Sequence, residues 1–234
     1  IAAASALAIW QAQSARREAA RAAEVKAFIA SIFNRAVPRT GEGGQYLAID
    51  LLTAASVRIE TELSSNPRAA AELGIIVGES FGELGEPAKG ERILKLAVAI
   101  AEKEFGRAHP ITMRGKVQLA SHLKHPDPKG ARAMLDEVIT DARKQLPETA
   151  RTLQDALSSK GFIMSKTSPS EETYAVLKDS VLVAETYLGP NSEFAIQNLG
   201  LLANTYGTYG DRREQLVLAT ETLRRAEAAF ANQR

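Results

Sequence analysis

The chain contains no cysteine, which excludes disulfide staples and thiolate metal sites. That absence suits cytosol and periplasm alike, so it does not fix a compartment. Unbalanced charge is also missing: 29 Lys and Arg stand against 28 Asp and Glu, a formal net charge of +1, and no whole-molecule field selects nucleic acid or an anionic membrane. No run alternates apolar and polar residues between hairpin turns, so an antiparallel sheet is not expected. The glycine cluster TGEGG (40 to 44) lacks the Gly-Lys-Ser/Thr ending of a phosphate loop and follows no strand, so it reads as a loop.

What is present is helical periodicity. Apolar residues recur at i, i+3, i+4 and i+7 in stretches such as PAKGERILKLAVAIAEKEF (87 to 105), and 45% of the 234 residues are hydrophobic, enough for a substantial core. Pro38, Pro67, Pro87, Pro110, Pro126, Pro128, Pro147, Pro169 and Pro190 fall at intervals suited to first turns or connectors, because a proline inside a helix loses a hydrogen bond and strikes the preceding turn. The chain therefore reads as all-α.

The helices repeat. Ala101, Ala142, Ala184 and Ala226 are separated by 41, 42 and 42 residues, and Leu94, Leu135, Leu177 and Ala219 keep the same steps, as do Phe105, Leu146, Leu188 and Phe230. In the preceding helices Gly78, Ala120, Gly161 and Ala203 recur at 42, 41 and 42, each followed three residues later by Phe81, Leu123, Met164 or Tyr206. Four helix pairs are expected. The single-residue shortening falls in the turn HLKHPDP, where it rotates neither helix face. At the small position a first helix is expected to approach the backbone of its partner closely, so that a leucine in place of Ala203 would overpack the contact.

The pattern of a small residue, an aromatic three later and glycine four after that, as in VGESFGELG (77 to 85) and LANTYGTYG (202 to 210), resembles the tetratricopeptide repeat. The 42-residue spacing, with FGRAHP (105 to 110) or LGPN (188 to 191) between units, is similar to the kinesin-light-chain-like variety. The resemblance covers roughly residues 69 to 232 and implies a right-handed superhelical solenoid of antiparallel helix pairs. About four full repeats run from 69 onward, preceded by a partial unit that opens at 46, with a long N-terminal helix upstream. The sequence departs from the pattern at Lys160, which stands where Val77, Leu119 and Leu202 stand. It departs again at Gly90, Thr173 and Gln215, on the second-helix position where the family favours Ala.

Residues 1 to 10, IAAASALAIW, read as the end of a transmembrane helix with Trp10 near the interface. Ten residues rise only about 15 Å as helix and cannot span a bilayer alone. A soluble Ala-rich helix packed on the first repeat is the other reading. Residues 11 to 45 form a juxtamembrane helix and loop, and 46 to 234 the repeat array. The segment 8 to 33 looks like the one that follows the single span in bacterial receptor-like serine/threonine protein kinases with C-terminal tetratricopeptide repeats. That likeness implies an upstream kinase domain and repeats on the periplasmic side of the inner membrane. Opposing that orientation are Arg16, Arg17, Arg21, Lys26, Arg35 and Arg39, a basic flank normally retained in the cytoplasm, so a cytoplasmic location stays open.

No catalytic constellation is expected in this chain, and no cofactor. His122, His125 and Asp127 could set three ligands at a helix end, but the simpler reading is a solvated terminus; His109 before Pro110 reads as a helix start, as do Glu171 and Glu172 after Pro169. The site expected of such an array is a concave groove lined by first helices. Counting from the small residues, its positions are Glu72, Ile75, Glu79 and Glu83; Arg114, Val117, Ser121 and Lys124; Asp155, Ser158, Phe162 and Lys166; and Gln197, Asn204 and Thr208. A protein or peptide segment of mixed charge, with apolar contact at Ile75, Val117 and Phe162, is the expected partner. The family's carboxylate clamp needs Lys and Asn where Ile75 and Glu79, or Val117 and Ser121, stand; only Asn204 has a fitting type, which argues against a receptor for chaperone tails. The alternatives to a sensing module are a soluble scaffold that dimerises and the ligand-sensing part of a transcriptional regulator. No basic groove-reading helix implies nucleic acid in this chain itself.

Overall fold

The computed structural model describes residues 48 to 61 and 67 to 231. The expected membrane-proximal helix, the basic flank and the 40 to 44 loop lie outside these residues. In chain order the helices are α1 (Ala48–Thr61), α2 (Pro67–Glu83), α3 (Pro87–Phe105), α4 (Pro110–Leu123), α5 (Pro128–Arg143), α6 (Ala150–Thr167), α7 (Glu171–Tyr187), α8 (Glu193–Tyr209) and α9 (Arg212–Ala231). Among the described residues there is no strand, and the architecture is an all-α helical repeat solenoid. Two compact units are formed, the first ending at Glu104 and the second beginning at Phe105.

Prolines open four of these helices, at Pro67, Pro87, Pro110 and Pro128, where the missing N–H is one that a first turn leaves unbonded anyway. His109 caps α4, its Nδ1 accepting the Ile111 N–H at 3.2 Å while its ring stacks on Phe105. Asp127 caps α5 by accepting the Gly130 N–H at 2.9 Å. Ser170 and Thr173 cap α7 reciprocally, and Thr173 Oγ1 accepts the Ser170 N–H at 3.1 Å. The departure from Ala at 173 is thus a capping residue, which accounts for one irregularity of the third repeat. Gly106 and Gly189 follow α3 and α7 with φ of +84° and +103°, a left-handed conformation that a Cβ would strain.

In the first unit Ala55 and Ile59 of α1 pack with Leu73, Val77 and Phe81 of α2 and Ile93 of α3. In the second, Met113, Val117 and Ala120 meet Leu135, Val138 and Ala142, and the same cluster continues through Leu153, Ala156 and Leu157 to Val183. A further cluster joins Tyr174, Leu177 and Val181 of α7 to Leu199 and Leu202 of α8. Tyr206 stacks on Tyr174 with ring centroids 4.4 Å apart, so it reaches the second helix of the preceding pair.

The small positions behave differently from expectation in one respect. A Cβ at Gly161 would lie 2.7 Å from Leu177 Cγ, and one at Gly78 would lie 2.5 Å from Leu94 Cγ and 3.1 Å from the Gly90 carbonyl. What occupies the space is chiefly the leucine of the second helix rather than its backbone, because Leu94 and Leu177 fill the gap left by the missing side chain.

Polar residues replace apolar ones at two places in the second unit, each with a partner. Lys116 Nζ bonds Glu137 at 3.0 Å, and Lys160 Nζ, on a side chain 12% exposed, bonds Asp136 at 2.7 Å with Glu172 at 3.8 Å. Asp141 is buried in α5 and accepts from Lys144 at 3.0 Å and from Arg107 at 3.1 Å. The Lys144 bond, aided by Arg107, holds this carboxyl below its ordinary value of 3.8 against the opposing effect of burial. A carboxyl whose folded pKa is depressed stabilises the fold above its unfolded value and loses that contribution as pH falls through the folded one. Asp141→Asn is therefore expected to lower stability by about 1 kcal/mol at neutral pH, since both cationic partners are largely exposed. The difference in thermal midpoint between the two proteins should close below about pH 4; a difference constant down to pH 2 would show that the charge of Asp141 has no part in it.

Candidate functional site

The second unit sets three first helices side by side, α4 against α6 and α6 against α8, with their partners α5, α7 and α9 behind. Along the exposed seam lie two adjoining hollows of ≈ 330 and ≈ 240 Å³ that share Ser121, Ser158, Ser159 and Leu201. Together they form one groove. At one end Phe162 forms the wall with Lys124, and the ammonium groups of Lys124 and Lys166 stand 5.5 and 5.8 Å from its ring centre. The opposite end carries Arg151, whose guanidinium lies 3.4 Å over the Phe194 ring and bonds Asp155 at 2.9 Å.

Between these ends the lining is mostly neutral and polar: Gln118, Ser121, Gln154, Ser158, Ser159, Gln197 and Asn198. Gln154 is only 3% exposed, yet its Oε1 has no hydrogen-bond partner. An amide oxygen so placed is an unpaired acceptor beneath the lining of the groove. The Gln154 carbonyl accepts from Ser180 Oγ at 3.4 Å, and the Ser180 carbonyl from Asn198 Nδ2 at 3.5 Å, so α7 braces the groove faces of α6 and α8 from behind.

The structure brings together Val117, Ser121, Lys124, Asp155, Ser158, Phe162 and Gln197 of the expected positions on this groove. Lys166 stands beside it through the Phe162 ring. Asn204 and Thr208 are exposed further along α8, and Arg114 is exposed on α4, none of them lining the two hollows. In the first unit Glu72 and Glu79 are half-buried on α2 and Glu83 is exposed. The apolar contact expected of Ile75 and Val117 is corrected in extent: Ile75 is 2% exposed and packed as core, and Val117 borders the groove but is 4% exposed, because burying an aliphatic side chain between helices is favoured over presenting it to solvent. Phe162 alone of the three offers apolar surface.

Sequence reasoning missed Gln118, Arg151, Gln154 and Asn198. A signal existed for two of them. Gln154 occupies a column held elsewhere by Ala71, Met113 and Ile196, and Asn198 one held by Leu73, Gly115 and Ala156; a polar residue in an apolar column marks a site where something besides packing is at work. Among the described residues no group of three or more His, Asp or Glu is arranged to hold a metal, and Asp127 is engaged as a cap. No helix among them is long and apolar enough to cross a membrane.

Comparison with solved structures agrees with the fold. A Podosopora anserina protein assigned as a kinesin light chain, with nearly identical TPR-like repeats, superposes with a TM-score of 0.60 at 15% identity, over 93% of this chain and 97% of that one. A point variant of the same protein gives 0.63 at 16% identity with the same coverage. No family model matches the chain, and no curated protein sequence does. The chain has a TPR-like repeat fold.

Proposed function

We propose that this protein is a non-catalytic interaction module that takes an extended peptide segment in the groove of its second unit. The observation that carries this reading is the neutral polar lining of the groove, built from Gln118, Ser121, Ser158, Ser159 and Gln197. Peptide main chain presents alternating N–H and C=O groups that serine and amide side chains satisfy without charge. At the Phe162 end an apolar side chain stacks on the ring, and an acidic neighbour meets Lys124 and Lys166. TPR-like arrays commonly bind proteins, and the fold agrees with that use.

The test is fluorescence anisotropy against a library of labelled peptides bearing an aromatic or aliphatic residue beside Asp or Glu. Lys124→Glu with Lys166→Glu is expected to weaken the selected peptides about ten-fold and to flatten their salt dependence. Gln154→Leu is expected to weaken them by several-fold without altering that dependence. Binding indifferent to all three substitutions would overturn the groove as the site.

In its finer form the reading makes this module the sensing region of a bacterial membrane-anchored serine/threonine kinase, with the repeats on the periplasmic side. Support comes from the likeness of residues 8 to 33 to the segment after the span in such receptors. Reading the gene upstream of Ile1 tests it: a kinase domain followed by a span is expected, and a start codon close to Ile1 without either would leave a soluble scaffold.

A further inference from the structure

The last helix carries a second surface, independent of the groove. On α9 Leu216, Val217 and Leu223 are 69%, 62% and 60% exposed, and Ala219 and Thr220 between them are exposed as well. By repeat register Leu216, Ala219 and Leu223 occupy the columns of Tyr174, Leu177 and Val181. One repeat earlier that face is buried, with Leu199 and Leu202 of α8 packed on it. On α9 the corresponding face is open among the described residues.

Its charges say what fits it. Arg213, Leu216, Val217, Thr220, Leu223, Arg224 and Glu227 fall at steps of three and four, on one stripe of the helix. The stripe has Thr220 at its middle, leucines on either side, a cation at one end and a carboxylate at the other. Laid antiparallel on an identical stripe and crossed at Thr220, Leu216 meets the second copy's Leu223, Val217 meets the stem of its Arg224, and Arg213 meets its Glu227. Each contact occurs twice by symmetry. A parallel pairing would instead set Arg213 on Arg213 and Glu227 on Glu227, which like-charge repulsion disfavours.

We propose that this chain self-associates as a two-fold dimer through an antiparallel pairing of α9, closed by two Arg213–Glu227 ion pairs around a Leu216–Leu223 seam. The pairing buries the open apolar face and leaves the groove on α4, α6 and α8 free in both copies.

Sedimentation velocity of the 234-residue chain from about 1 to about 300 μM is the experiment, because mass action draws a weak dimer together over that range. The mass is expected to rise from 25.2 kDa toward twice that value. Arg213→Glu and Glu227→Arg, each alone, are expected to raise the dimer dissociation constant about ten-fold, and the two combined to bring it back to within about three-fold of the starting value. Leu223→Ser should leave a monomer with an unchanged circular dichroism spectrum, since the side chain is already solvated in the single copy. A monomeric mass throughout overturns the proposal and leaves the face to a helix of another kind. A dimer that survives Leu223→Ser, or a charge exchange that fails to restore association, overturns it equally by moving the interface elsewhere.

Discussion

Gly161→Val is expected to lower the stability of the second unit by about 3 kcal/mol, which at this chain length is a fall of roughly 6 to 12 °C in thermal midpoint. The cause lies in one contact. A Cβ at this position would already sit 2.7 Å from Leu177 Cγ, and that leucine is fully buried, with Tyr174, Val181, Leu199 and Leu202 around it. Neither side has room to give. Valine adds two methyls and a restricted χ1 to a helix face that closes on its partner. Thermal unfolding followed at 222 nm measures the change, and an unaltered midpoint would mean that α6 and α7 are not held this close.

The reverse substitution should cost as much. Leu177→Ala removes a fully buried side chain whose neighbour across the interface is a glycine with nothing to extend into the space. The cavity stays open, and the loss belongs in the upper part of the usual range of about 2 to 5 kcal/mol. Gly161→Ala combined with Leu177→Ala is the informative double variant. The new methyl enters the volume the leucine has vacated, so the pair should be less damaging than the sum of the two single changes by about 1 kcal/mol or more. Additive losses would show that the two residues do not share one space.

Much of this was legible in the sequence because a repeat array writes the same packing problem several times. The Gly78, Ala120, Gly161, Ala203 column and the Leu94, Leu135, Leu177 column could be aligned without any structure, and at Gly78 with Leu94 and Gly161 with Leu177 they prove to be two sides of the same contact. His109 and Glu171 were also readable, since the dipeptide chemistry of a helix start is local. The groove was harder. Helical periodicity tells which side of a helix is apolar but not how far a position between core and solvent leans, and that angle decides whether Ile75 and Val117 are buried or presented. Serine at the same column, as at 158, stays half-exposed and lines the hollow. Arg151 and Phe194 come from different repeats, and their stacking depends on the spacing between α6 and α8, which no single-repeat pattern encodes. The open face of α9 escaped for the opposite reason: its residues obey the repeat pattern, and their exposure follows from which helix is beside them.

The two paired lysines have a bearing on how the array assembles. Related repeats invite mispairing, since a helix shaped for one neighbour shares its apolar columns with the others. Lys160 draws its carboxylates from Asp136 in the pair before it and Glu172 in its own, whereas Lys116 draws on Glu137 within a single pair. Seated one repeat earlier, α6 would bring its ammonium into the column of Leu119, where Lys95 and Gly130 stand in the registers of Asp136 and Glu172 and supply no counter-charge. Such a charge acts as an address: it adds little to the correct arrangement and weighs heavily against that slipped one.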